Sequence, residues 1–199
     1  MSDKILLNKD THSFSESDLP CLVTYAEKSG GSHFTITMVV DLFFQGSKIL
    51  FLTAYPMAKD NFLQQINDYH SKIAFVNSVY ELEKVKDTQV IILESGNEAL
   101  FIEAVEALTD LEERVILIKN IEVFSKAVFN ICLSKEKVIL SGNLDECSDK
   151  ERISHKIYKT IIAFTKPETS LPIEVPVLEK YTGYMVGNNK SGIVQIEKK

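Results

Sequence analysis

Unbroken apolar runs recur along the chain: 21–24 (CLVT), 48–53 (KILFLT), 73–76 (IAFV), 89–93 (QVIIL), 115–118 (VILI) and 137–140 (KVIL). Runs without a polar alternate residue fit strands buried on both faces, the condition of a parallel sheet covered by helices. Helix-length segments lie between them. Residues 34–44 are apolar apart from Thr35, Thr37 and Asp41, which predicts a helix covered on most sides, closed by Gly46. Residues 59–69, 79–85, 97–108 and 122–133 space their large apolar side chains at helical intervals. The alternation predicts βα units in a doubly wound α/β sheet with helices on both faces, not a sandwich or a bundle. A short strand at 5–7 and a polar link over 8–18 precede the first buried run.

The pattern changes after Gly142. Residues 143–154 are polar and charged, 157–164 alternate imperfectly, and Pro167, Pro172 and Pro176 punctuate a loop. Residues 184–186 and 193–196 then frame a turn-rich stretch over 187–192, the signature of a hairpin. The expectation is one domain over residues 1–199, mostly parallel, with 157–199 as a mostly antiparallel C-terminal extension of the same sheet.

At 199 residues and 45% hydrophobic content the chain can bury a continuous core. Its formal net charge of −6 and its lack of a dense Lys/Arg cluster set nucleic acid aside as a partner of the isolated chain. Cys21, Cys132 and Cys147 are too few and scattered for a disulfide framework or a zinc pattern, and read as reduced structural residues. His12, His33, His70 and His155 lack ligand spacing, so no metal site is expected. Neither a signal peptide nor a membrane-spanning run is evident, and a cytoplasmic protein is the default.

The segment 21–56 carries the candidate chemistry. A phosphate-binding loop reads Gly-x4-Gly-Lys-Ser/Thr between a buried strand and a helix. Here the same frame reads Tyr25-x4-Gly30-Gly31-Ser32, with Gly31 where the lysine belongs and a bulky ring where the backbone should turn tightly. Gly30, Gly31 and Ser32 at a helix mouth leave an anion site physically open, while a plain flexible connection remains the alternative. Lys28 stands three positions before the usual lysine, and His33 adds a titratable group beside the loop. Nucleotide hydrolysis also needs a strand-end carboxylate for Mg²⁺. Glu94, closing 89–93, and Glu122, just beyond 115–118, stand nearest that position. Lys119, at the carboxyl end of a buried strand, is unusual there, with three uses open to it: binding an anion, pairing with Glu94, or reaching solvent. Phenylalanines 34, 43, 44, 51, 62 and 75 are expected in the core.

Over residues 19–56, the strand ending Leu22-Val23-Thr24, the glycine-bearing loop, the helix to Phe44 and the strand after Gln45-Gly46-Ser47 resemble the opening of RecA-like ATPases of the recombinase and circadian-clock type. The resemblance implies a RecA-like domain in which the functional lysine would stand at Gly31 and the magnesium-binding hydroxyl at Ser32. More remotely the chain resembles the accessory ring subunits of Elongator, RecA-like domains without a standard phosphate loop. That likeness implies a structural or regulatory role without a cofactor, exercised through protein partners or self-association. The alternatives are an atypical ATP- and Mg²⁺-dependent protein using Lys28 or Lys119, and a small-anion or cofactor-binding Rossmann-like domain. The candidate binding set is Lys28, Gly30, Gly31, Ser32, Glu94 and Lys119.

Overall fold

The computed structural model describes residues 3–93, 97–108, 110–187 and 190–197. Among these, eleven strands form one sheet in the order β2-β1-β11-β10-β9-β3-β8-β7-β4-β6-β5. In chain order the strands are β1 (Lys4–Leu7), β2 (Asp10–His12), β3 (Cys21–Thr24), β4 (Ile49–Thr53), β5 (Ile73–Val76), β6 (Val90–Leu93), β7 (Val115–Lys119), β8 (Val138–Gly142), β9 (Thr160–Ala163), β10 (Gly183–Gly187) and β11 (Lys190–Glu197). The helices are α1 (Gly31–Phe44), α2 (Pro56–Gln65), α3 (Val79–Val85), α4 (Glu98–Ala107), α5 (Lys126–Cys132) and α6 (Lys150–His155).

The seven strands from β9 to β5 pair in parallel. Their side chains alternate between two cores, as the two-residue strand period requires. Cys21, Val23, Ile49 and Phe51 face one core, which Phe34, Val39, Phe43 of α1 and Phe62 of α2 fill. Leu22, Leu50 and Leu52 face the other, filled by Leu82 of α3, Phe101 of α4, Phe129 of α5 and Ile153 of α6. Every residue of β3, β4, β6, β7 and β8 is buried, which is why those strands lack polar alternation.

The RecA-like α/β sheet with its C-terminal antiparallel β10–β11 hairpin is therefore present. Antiparallel pairing begins at β10, since β9 runs parallel to β3. The hairpin turn is shorter than the expected 187–192: Gly187 pairs with Lys190, and the two residues between them lie outside the described residues.

Three elements depart from the sequence pattern. The polar link over 8–18 contains β2, which returns against β1. The expected helix over 122–133 is split, because Ser125 caps a new start: its Oγ accepts from Ala127 N at 3.3 Å, and its N–H donates to Glu98 Oε1 at 2.8 Å. Phe44, expected in the core, is 49% exposed and meets Tyr69 edge-on, with ring centroids 5.5 Å apart.

Candidate functional site: a filled loop

The loop joining β3 to α1 opens at the carboxyl end of the parallel strands, the edge at which open α/β sheets bind ligands. Register brings three strands together beneath it. Lys119 on β7 stands beside Ser141 on β8, and Ser141 beside Val23 on β3. Because alternate residues share a face, Lys119, Ser141 and Tyr25, two positions past Val23, all point toward the α1 side of the sheet.

Tyr25 turns into this space and is only 7% exposed. Its ring lies flat on Gly31: a Cβ on Gly31 would sit 2.5 Å from Tyr25 Cβ, Cγ and Cδ1. No side chain fits position 31 while this ring is in place. The glycine in the lysine position and the tyrosine in the glycine position are thus one steric arrangement. Gly30, at φ 98°, makes the turn into α1. There the ring of Tyr181 covers it, 3.5 Å from where a Cβ would be.

The phenol oxygen is a convergence point. Lys119 Nζ donates to it at 2.9 Å, and Ser141 Oγ lies at 3.5 Å. Burial dominates its titration and pushes Tyr25 up to about 12. Behind it, Thr35 Oγ1 bonds Ser141 Oγ at 2.7 Å and donates to Gly31 O at 3.0 Å, tying α1 to β8. Lys119 is 1% exposed, and burial depresses its amine to about 8 despite the nearby Glu122 carboxylate.

Lys119 therefore does not reach solvent, one of the uses open to it on sequence grounds. Glu94, its other suggested partner, lies outside the described residues. Lys28 is exposed on the loop at φ 60°, away from the buried group. Gly30, Gly31, Ser32 and Lys119 are brought together. Glu122, weighed as a metal holder, is occupied with two asparagines: its Oε2 accepts from the backbone Asn143 N at 2.9 Å and its Oε1 from the side-chain Asn120 Nδ2 at 3.3 Å. Among the described residues no group of three or more His, Cys, Asp or Glu is placed to hold a metal ion.

Beside the loop lies a cavity of about 510 Å³ lined by Gly30, His33, Phe164, Tyr181 and Ile196. His33 Nε2 meets Asp3 Oδ2 at 2.8 Å, fastening the N-terminal segment to α1. Sequence reasoning missed Ser141, Thr35 and Tyr181 as parts of this site. Their partners lie more than a hundred residues away along the chain, or arrive on an irregular segment, and leave no local pattern.

No protein-family model matches the chain, and no curated protein matches it in sequence. Solved structures do match in fold. EssC (ATPases 2 and 3) from Geobacillus thermodenitrificans superposes with a TM-score of 0.53 at 13% identity over 98% of this chain. The genome packaging NTPase B204 from Sulfolobus turreted icosahedral virus 2, in complex with AMPPCP, gives 0.55 at 14% identity over 91% of this chain and 97% of its own. The cytoplasmic domain of EssC gives 0.52 at 14% identity over 89% of this chain. The chain spans 40% and 38% of the two EssC chains. At these identities the shared feature is the fold.

Proposed function

We propose that this chain is a single domain of P-loop NTPase fold that does not turn over nucleotide, and that it acts as a structural or regulatory subunit of an oligomer. The observation that carries the reading is the Tyr25 ring lying on Gly31 with its hydroxyl held by Lys119. Phosphoryl transfer needs a lysine from the loop, a hydroxyl on Mg²⁺ and a carboxylate at a nearby strand end. Here the lysine position is closed by a ring. The strand end beneath the loop carries a cation, Lys119, in place of an acid. A cation there repels Mg²⁺, whatever the fate of the loop lysine.

The likeness to the accessory ring subunits of Elongator offers the precedent for such a role. The fold's occurrence as two ATPase units within one EssC chain supports packing of this domain against others of its kind. Ile157 and Val177 are almost fully exposed, as is Tyr80, and supply apolar contacts for partners. Among the described residues no helix is long and apolar enough to cross a membrane.

A second reading, atypical ATP binding, draws on the same buried Lys119 and on the AMPPCP-bound packaging NTPase. Titration calorimetry with ATP and Mg²⁺ separates the two. The proposed reading expects no heat at millimolar ATP, together with a mass by light scattering above that of one chain. Micromolar binding weakened in Lys28→Ala or Lys119→Met overturns it in favour of the second. A strictly monomeric mass removes self-association and leaves a different protein as the partner.

A further inference from the structure

We infer that Tyr25 is a built-in plug in a latent phosphoanion site, its hydroxyl taking the place of a phosphate oxygen between Lys119 and Ser141 near the mouth of α1. The inference rests on the proposed function and adds a reason why the wild-type loop is silent. Two neighbouring strands bring polar groups to one oxygen: β7 supplies the Lys119 ammonium at 2.9 Å and β8 the Ser141 hydroxyl at 3.5 Å. An ammonium offers three N–H donors and a phenol oxygen only two lone pairs. The cluster is thus matched to an acceptor richer than a phenol, and a pyrophosphate group is one.

Burial adds a second observation. An ammonium 1% exposed, with its nearest carboxylate at Glu122 committed to the Asn143 and Asn120 N–H groups, is a poor choice for holding a neutral ring in place. It is a good one for neutralising an anion. α1 runs fourteen residues from Gly31, so its partial positive end falls on the same point. The charge that a loop lysine would bring from α1 comes here from the sheet, on Lys119. The Tyr25 ring fills the volume between Gly31 and that charge, and its removal frees the contact side of both.

The test is binding of inorganic pyrophosphate, and separately of ATP with Mg²⁺, to the full chain by calorimetry. Four proteins are compared: wild type, Tyr25→Ala, Tyr25→Phe and the double variant Tyr25→Ala/Lys119→Met. The plug expects no heat from wild type or Tyr25→Phe at millimolar ligand. It expects at least tenfold tighter pyrophosphate binding by Tyr25→Ala, and loss of that gain in the double variant. A tyrosine that is merely structural moves stability and leaves binding untouched. Tyr25→Ala binding no tighter than wild type, or a gain that survives Lys119→Met, overturns the plug while leaving the non-binding reading standing. Micromolar binding by wild type, with the ring in place, overturns both. If Tyr25→Ala does not fold, Tyr25→Leu, which keeps apolar bulk without a ring over Gly31, is read by the same criteria.

Discussion

At the residue scale, the pair of Gly31 and Tyr25 makes a sharp demand on position 31. Gly31→Ala places a methyl group 2.5 Å from Tyr25 Cβ and from two ring carbons, at the backbone end of the side chain, where it cannot swing aside cheaply. Overpacking of this kind costs about 1–3 kcal/mol, and urea unfolding of the variant is expected to show it. Tyr25→Gly/Gly31→Ala, which removes the Cβ as well as the ring, should show less of that loss than the two single changes added together, and a double-mutant cycle measures the coupling. Lys119 gives a pH-dependent prediction. Its folded value near 8 lies below the ordinary 10.5, so between them the unfolded chain holds more protons and stability rises with pH. Tyr25 works the other way: its folded value near 12 exceeds the ordinary 10, so above pH 10 the unfolded chain loses its proton first and stability falls. The pair thus contributes most near pH 10. Lys119→Met is expected to be the more stable protein at pH 7, with wild type closing a gap of up to about 3 kcal/mol by pH 10. A gap that stays constant across that range defeats the assignment. Sequence alone displayed the three odd residues, Tyr25, Gly31 and Lys119, each out of place in its own motif. That they answer one another was not legible, since Lys119 and Tyr25 meet across two strand spacings and 94 positions.

At the element scale, the parallel strands were legible because burial on both faces leaves them wholly apolar, and the helices because their apolar spacing is regular. Where geometry is set by a single polar group the pattern misled. The helix expected over 122–133 breaks at Ser125, whose capping bond outcompetes one continuous turn. Ser125→Ala should cost about 1 kcal/mol, within the usual range for lost N-caps, and raise amide exchange at the start of α5. Residues 164–182, between β9 and β10, have little regular structure, yet Asp145 holds them. Its Oδ1 accepts from Thr169 N and Thr169 Oγ1, both at 2.8 Å, and its Oδ2 from Glu168 N at 3.0 Å. These bonds, Thr169 N foremost, draw the carboxyl below its ordinary value although burial opposes them. A depressed carboxyl stabilises the folded state above the ordinary carboxylate range and loses that effect as pH falls through the folded value. Protection factors at the Glu168 and Thr169 amides, which allow for the intrinsic slowing of exchange in acid, are therefore expected to fall on acidification and, in Asp145→Ala, to be low already at pH 7. Protection unchanged in Asp145→Ala would show that packing alone secures the segment.

At the scale of the molecule, the parallel strands position the loop, α1 and Lys119 with one another, and the antiparallel strands widen the sheet on the β9 side. The short edge strands β2 and β5 leave limited backbone for uncontrolled pairing. Partner binding by side-chain surface is thereby favoured over strand addition, and charge-reversing substitutions beside Ile157 and Val177 are the first place to look for loss of an assembled mass. The pairing of β1 with β11 has a consequence for how the molecule comes into being. Lys4 sits opposite Glu197 and Leu7 opposite Val194, so β1 must wait for a partner strand that lies far along the chain. Until then β1 has β2 beside it and packs on α1, whose core Ile5 joins. The wide half of the sheet is thus a late event in folding, and its waiting strand edge is where chaperone capture is to be expected.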